Sequence, residues 1–103
     1  MTAPSNPVVS ALVDTVNNGD RAAFMDLLAP DAVLTDDGSR RALEDWIDRE
    51  IFTANGRMAV QGEDPDGLNL TVRFHNDTWG DMNTRWHFEV ARGRISRIDT
   101  GQA

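Results

Sequence analysis

Hydrophobic residues in the first third of the chain recur with the period of an α-helix. Asn6 and Pro7 predict a helix start, because Asn accepts hydrogen bonds from free amides and Pro suits the first helical position. The apolar face of this helix is formed by Val8, Val9, Leu12, Val13 and Val16. Asp20 is predicted to cap a second helix, which ends before Pro30 and carries Phe24, Leu27 and Leu28 on one side.

A short strand and a third helix are predicted next. Alternation over residues 32–36 puts Ala32, Leu34 and Asp36 on one face of the strand. Asp37-Gly38 predicts a turn, after which Ser39 is expected to cap the third helix. The apolar stripe of that helix consists of Leu43, Trp46, Ile47 and Ile51.

After residue 56 the hydrophobic period changes from 3.6 to 2, which predicts four strands. The inward positions of the third of these strands are Met82, Thr84, Trp86, Phe88 and Val90. Residues 64–67, 75–81 and 91–94 are predicted turns, so the four strands are expected to pair as an antiparallel meander. With the helices gathered on one face, the fold class is α+β.

Composition narrows the class of protein. The 103 residues suit one domain, and the absence of cysteine leaves neither disulfides nor thiolate metal sites. A formal net charge of −7 with scattered arginines makes nucleic acid a poor partner. No apolar run reaches the ~18 residues of a membrane helix, and the N-terminus lacks the features of a secretory signal. We therefore expect a cytoplasmic protein that does not act at a membrane.

The chemistry-bearing residues are few. His75 and His87 are the only imidazoles and lack metal-ligand spacing, so no metal is expected. No serine sits in a nucleophile elbow and no glycine-rich phosphate loop is present, so no cofactor is expected either. Asp36 has two interpretations: a general base in a cavity, or a carboxylate that forms the following turn or caps the helix at Ser39.

Three stretches in this order resemble the nuclear transport factor 2-like superfamily, in its SnoaL-like and ketosteroid isomerase-like branch. They are Asn18-Gly19-Asp20 with the residues up to Ala32, then Gly38 to Ile47, and the closing hairpin from Arg85 to Ile95. The resemblance implies one SnoaL-like domain over residues 1–103, in which a cone-shaped, curved antiparallel sheet packs against three N-terminal helices. It further implies a cavity at the open end of the cone.

The resemblance places Asp36 where the isomerases keep their general base. Their oxyanion tyrosine would fall at Leu12, and the aspartate of their late strand would fall at Trp86. Because an oxyanion donor is worth ~3–4 kcal/mol to such a reaction, these differences argue against ketosteroid isomerase activity. Whether the chain is an enzyme stays open; if it is, the resemblance implies a SnoaL-like lyase or isomerase.

Three functions follow as hypotheses. The first is a small-molecule-binding cone with an apolar cavity, for which the candidate ligand-binding residues are Leu12, Trp46, Met58, Phe74, Trp86 and Phe88. The same aromatic residues could instead simply fill the core. The second is a lyase, isomerase or hydrolase that uses Asp36 on a hydrophobic substrate. The third is a dimerisation module with a filled cone. Trp79, in a polar turn, is either a lid or a dimer contact.

A homodimer is expected in each case. By the resemblance, such cones pair through the outer face of the sheet. Alternation puts a polar set of residues there, namely Asn69, Thr71, Arg73, Arg85, His87 and Glu89.

Overall fold

Helices lie on one side of a curved sheet in the computed structural model, which describes residues 4–103. The helices are α1 (Pro7–Asn17), α2 (Arg21–Asp26) and α3 (Leu43–Ile47), and α3 continues into a π-helical segment, Asp48–Phe52. The strands are β1 (Leu28–Asp36), β2 (Ser39–Arg41), β3 (Arg57–Glu63), β4 (Asn69–Asn76), β5 (Gly80–Ala91) and β6 (Arg94–Gln102). The predicted α+β class is confirmed. Residues 1–3 of the N-terminal segment lie outside the described range.

The six strands form one sheet in the order β2-β1-β6-β5-β4-β3. The meander β3–β6 is antiparallel throughout, as predicted. The pairing of β1 with β6 is parallel, and the sequence analysis did not foresee it. Alternation assigns faces to a strand but says nothing about a partner that lies 64 residues away, as Asp99 does from Thr35.

The predicted inward face of β5 is confirmed. Trp86 is 2% exposed and Phe88 is fully buried, whereas His87 lies on the outer face and hydrogen-bonds Asn69. The outward residues of β4 and β5 are polar, so the sheet has one apolar and one polar face. This register brings the apolar residues of the strands against the helices.

Two of the three predicted helix caps are confirmed. The Asn6 side chain accepts hydrogen bonds from the amides of Val8 and Val9, and Asp20 accepts one from Ala23. The prediction for Ser39 is wrong, because Ser39 begins β2 and pairs with Asp36 across a hairpin. Helix α3 starts only at Leu43 and has no side-chain cap.

The boundaries of two further elements differ from the prediction. Helix α2 ends at Asp26, and β1 already starts at Leu28, so Pro30 lies inside a strand. The register between β1 and β6 shifts between Leu28 and Val33, and such an irregularity tolerates a proline without a ladder hydrogen bond. The predicted third helix is divided into five α-helical residues and five π-helical ones.

Candidate functional site

A cavity of about 240 Å³ opens at one end of the sheet. Strands β1, β4 and β6 end at this cavity. Strand β5 begins there, because it is antiparallel to both of its neighbours. The helical wall comes from α3 and the π-helical segment. The cavity is lined by Asp36, Asp37, Trp46, Glu50, Phe74, Asn76, Trp79, Met82, Thr84, Trp86, Thr100, Gly101 and Gln102.

The structure brings four of the seven candidate site residues together at this cavity: Asp36, Trp46, Phe74 and Trp86. The other three are core residues that do not line it. Leu12 and Phe88 are fully buried and Met58 is 3% exposed. Phe88 stacks on Trp86 with ring centroids 6.3 Å apart, so it supports the cavity wall from behind.

Asp36 is placed by a tight hairpin. The turn residues Asp37 and Gly38 have φ of 51° and 84°, which is the geometry of a type I′ turn and favours Asp-Gly. Asp36 is the last residue of β1, is half-buried, and accepts a hydrogen bond of 3.1 Å from the indole N–H of Trp46. No backbone amide of residues 4–103 donates to its carboxylate, so the helix-capping alternative is wrong.

The second carboxylate of the hairpin approaches the end of β6. A Cβ atom at Gly101 would lie 2.5 Å from Asp37 Oδ1, so only glycine leaves room for this carboxylate. Asp37 Oδ1 accepts a hydrogen bond from the amide of Gln102 at 3.1 Å. Asp37 is therefore held at the rim of the cavity beside Asp36.

Aromatic rings form the floor of the cavity. Trp46 meets Trp86 edge to face, with centroids 6.3 Å apart, and Phe74 lies 6.1 Å from Trp86. The Trp86 indole donates to Thr84 Oγ1 at 3.0 Å, which fixes the ring. Such pairs contribute about 0.5–1.5 kcal/mol beyond their buried area, so they help to hold these rings in place.

Glu50 and Asn76 belong to the site but were missed by the sequence analysis, and Trp79, predicted to be either a lid or a dimer contact, also lines the cavity. Asn76 is fully buried, donates to the carbonyl of Glu50 at 2.9 Å, and accepts from the amide of Trp79 at 2.8 Å. The Trp79 indole N–H points to the Glu50 carboxylate at 3.3 and 3.4 Å. A polar residue at an inward position of β4 was the sequence feature that could have identified Asn76.

The side-chain hydrogen-bond donors around the cavity are nearly all used within the protein. The indoles of Trp46, Trp79 and Trp86 donate to Asp36, Glu50 and Thr84. The remaining polar side chains donate to main-chain carbonyls: Asn76 to Glu50, Thr84 to Val72 and Thr100 to Arg85. Of the lining side chains, that of Gln102 donates no hydrogen bond within residues 4–103, and the buried Asn76 donates through only one of its two N–H groups. The cavity therefore offers acceptors and few donors.

One group of possible metal ligands occurs in the part of the chain that the structure describes, and it lies on the outer face. It consists of His87, Glu89 and Asp99. Arg97 donates to both oxygens of Asp99, at 2.9 and 3.1 Å, and Thr35 donates to it as well. Burial acts to raise the pKa of Asp99, but these hydrogen bonds outweigh it and hold the pKa below its usual value. The guanidinium already compensates this carboxylate, which disfavours a cation here.

The comparisons with known proteins identify the fold. No family model matches the sequence, and no curated protein matches it either. An NTF2-like protein of unknown function from Cytophaga hutchinsonii matches with a TM-score of 0.80 at 10% identity, over 100% of this chain and 93% of that one. A Sinorhizobium meliloti protein assigned as a polyketide cyclase matches with a TM-score of 0.78 at 21% identity, over 97% and 99% of the two chains.

A third structure holds a ligand. A Mycobacterium tuberculosis protein in complex with estradiol-17β-hemisuccinate matches with a TM-score of 0.79 at 16% identity, over 96% of this chain and 93% of that one. Together these matches show that the chain has the nuclear transport factor 2-like fold, as the sequence analysis expected. None of the helices of residues 4–103 has the length and apolar composition needed to cross a membrane.

Proposed function

We propose that the protein binds a small hydrophobic molecule in the cavity at the open end of its sheet. The observation that carries this proposal is that all three tryptophans of the chain, Trp46, Trp79 and Trp86, line one cavity. Large apolar walls with a few placed polar groups are typical of ligand sites. The estradiol complex of the structurally similar Mycobacterium tuberculosis protein supports the same use of the fold.

The size of the cavity limits the ligand. Sites for drug-sized molecules usually measure about 300–1,000 Å³, and this one measures about 240 Å³. We therefore expect a ligand with one or two rings rather than a complete steroid skeleton, unless Trp79 moves. Trp79 is 63% exposed, so its ring can move without the loss of much packing.

Titration with a two-ring alcohol, 2-(1-naphthyl)ethanol, followed by ¹H–¹⁵N NMR, tests this proposal. The three indole N–H signals should shift, while the amides of Val16 and Phe24, in the closed part of the core, should stay in place. Shifts that are absent, or that are as large at Val16 and Phe24 as at the indoles, would reject the cavity as a binding site for hydrophobic molecules.

A general acid/base role for Asp36 is the second candidate function. It is favoured by one observation: Asp36 lines the cavity, and its Oδ1 has no hydrogen-bond partner within residues 4–103. Such a carboxylate could move a proton in a lyase, isomerase or hydrolase reaction on a hydrophobic substrate. The scarcity of free donors disfavours reactions that build up negative charge on oxygen.

Deuterium exchange into enolisable aryl ketones, measured in D₂O by NMR, tests this second candidate. Wild-type protein should accelerate the exchange only modestly, because few free donors face the enolate oxygen. Asp36→Asn should not accelerate it, whereas Asp66→Asn, in an exposed turn, should behave as wild type. Equal exchange with wild type and with Asp36→Asn would exclude Asp36 as the base.

We propose that the chain acts as one SnoaL-like domain, residues 1–103, and as a cytoplasmic homodimer. The polar residues Thr71, Arg73 and Arg85 on the exposed outer face would form a modest, salt-sensitive contact. Sedimentation at micromolar concentration should then show twice the monomer mass of 11.4 kDa. Sedimentation of a monomer alone would contradict the homodimer.

A pure dimerisation module with a filled cone is disfavoured by the open cavity.

A further inference from the structure

We propose that the ligand of this cavity is a hydrophobic amine in its protonated, cationic form. This inference rests on the proposed function, because it names the class of molecule that the same cavity binds. Three observations carry it: the aromatic walls, the direction of the hydrogen bonds around the cavity, and the charges of the residues that line it.

The aromatic walls suit a cation. The electron-rich faces of indole rings attract ammonium groups, and tryptophan does so more strongly than phenylalanine or tyrosine. Trp46, Trp79, Trp86 and Phe74 surround one small space. Two of these indoles donate their N–H to a carboxylate, Trp46 to Asp36 and Trp79 to Glu50. Each of these two rings therefore has a negative charge at its edge, which adds to its attraction for a cation.

The hydrogen bonds leave acceptors for the ligand. Apart from Gln102 and the second N–H of the fully buried Asn76, the donors on the lining side chains are bonded within the protein. Within residues 4–103, Asp36 Oδ1 and Asp37 Oδ2 receive no hydrogen bond. Asp36 is half-buried, so a ligand that covers it must supply a donor if its free oxygen is to be satisfied. An ammonium N–H does this, whereas an ether, ketone or carboxylate does not.

The charges of the lining residues have one sign. Asp36, Asp37 and Glu50 line the cavity, and no arginine or histidine of residues 4–103 lines it with them. The guanidinium of Arg85 approaches Gly101, where its Nη2 would be 3.3 Å from an added Cβ, but Arg85 does not line the cavity. None of the three carboxylates belongs to an ion pair of the described residues. An ammonium group would be attracted by these carboxylates, and an anionic ligand would be repelled by them.

A matched set of three naphthyl compounds tests the inference. At pH 7, 2-(1-naphthyl)ethylamine is a cation, since alkylamines titrate near pH 10, whereas 2-(1-naphthyl)ethanol is neutral and 1-naphthylacetate is an anion. Their dissociation constants are measured by NMR titration of the indole N–H signals. The cation should bind about tenfold tighter than the alcohol, and the anion should bind more weakly than either.

Charge-removing variants locate the effect. Asp36→Asn and Glu50→Gln should each reduce the advantage of the amine over the alcohol by about threefold or more, with little change for the alcohol. Asp66→Asn removes an equal charge from an exposed turn and should leave the advantage unchanged. An advantage that falls equally in all three variants would mean that only the overall net charge acts, and it would overturn the inference.

The outcomes separate this inference from the proposed function. Equal binding of amine and alcohol, or tighter binding of the anion, overturns the inference and leaves a hydrophobic binding site in place. If none of the three compounds shifts the indole signals, both the inference and the proposed function fail. Folding of each variant is checked beforehand by its amide spectrum, and an unfolded Asp36→Asn is replaced by Asp37→Asn, whose carboxylate lines the same cavity.

Discussion

The two ends of the inner sheet face differ in what covers them. At the closed end, Leu12, Phe24, Phe88 and Ile98 are fully buried, and α1 and α2 supply the cover. At the open end the cover is α3, of five residues, and its π-helical continuation. Side chains there range from Asn76, which is fully buried, to Trp79, at 63% exposure. The same alternating strands thus build a dry core at one end and a cavity at the other.

The inward-facing positions of the strands also change in character between the two ends. Toward the cavity, β4 carries Asn76, β5 carries Thr84 and β6 carries Thr100 at positions that face inward, and all three are buried. Each hydrogen-bonds a main-chain carbonyl, so burial leaves none of them unsatisfied. A polar residue at an inward strand position therefore marks the open end, and this is visible in the sequence once the register is known.

The largest expected effect on stability is that of Trp86→Ala, since the Trp86 side chain contributes to the cavity and to the packed core. It forms part of the cavity wall and also stacks on Phe88. We expect a loss of about 3–5 kcal/mol in the free energy of unfolding, measured by urea denaturation. His87→Ala, one residue away on the outer face, should cost under about 1 kcal/mol. The reverse ranking would contradict the register of β5.

A smaller loss is expected for the polar network of the open end. Asn76 is fully buried, and Asn76→Ala removes the donor to the Glu50 carbonyl and the acceptor for the Trp79 amide. A cost of about 1–3 kcal/mol should follow in the same denaturation assay. Asn83→Ala, which is exposed on β5, is the matched control and should stay within about 0.5 kcal/mol of wild type. Similar values for both would mean that the open end is held by apolar packing alone.

Local patterns predicted much of the fold, for physical reasons. Alternation identified β4 and β5 with their inward faces, because a strand with one buried face must alternate. The caps at Asn6 and Asp20 depend only on residues within three positions of the helix start. Ser39 satisfied the same local rule but was recruited into a hairpin with β1, since tertiary pairing there outweighs the capping preference.

The candidate site was predicted less completely. Asp36 was recognised because it shares a face with Leu34 at the end of a strand. Glu50 was not, because its position depends on the π-helical segment, which changes the angular spacing of the residues after Asp48. The parallel contact of β1 with β6, which brings Asp36 beside Thr100, likewise depends on residues far apart in the sequence.

The outer face of the sheet, away from both ends, should contribute to the pH dependence of the free energy of unfolding. Hydrogen bonds from Arg97 and Thr35 overcome burial and lower the pKa of Asp99, so this carboxylate stabilises the folded state above its unfolded pKa of about 3.9. That contribution is lost as the pH falls through the lower folded value. Urea denaturation between about pH 5 and pH 2 should therefore show a smaller loss of stability for Asp99→Asn than for wild type. Parallel curves would contradict the lowered pKa.

The smallest expected effect on stability is that of Trp79→Ala. Trp79 is mostly exposed, and its indole contacts Glu50 only at 3.3–3.4 Å. We expect a change within about 0.5 kcal/mol by thermal denaturation, in contrast to the loss for Trp86→Ala. A large loss would show that the open end relies on Trp79 for packing and would weaken the idea that this ring can move.

The central position of β6 has a kinetic consequence. The turns that join β3 to β4 and β4 to β5 are short, so these hairpins can form from local contacts early in folding. By contrast, β1 pairs only with the short β2 and with β6, and the Thr35–Asp99 contact spans 64 residues. Closing so long a loop is slow because its entropy is lost before the pairing is gained. Since Asp36 lies on β1 and Thr100 on β6, we expect the cavity to be the last part of the molecule to assemble during folding.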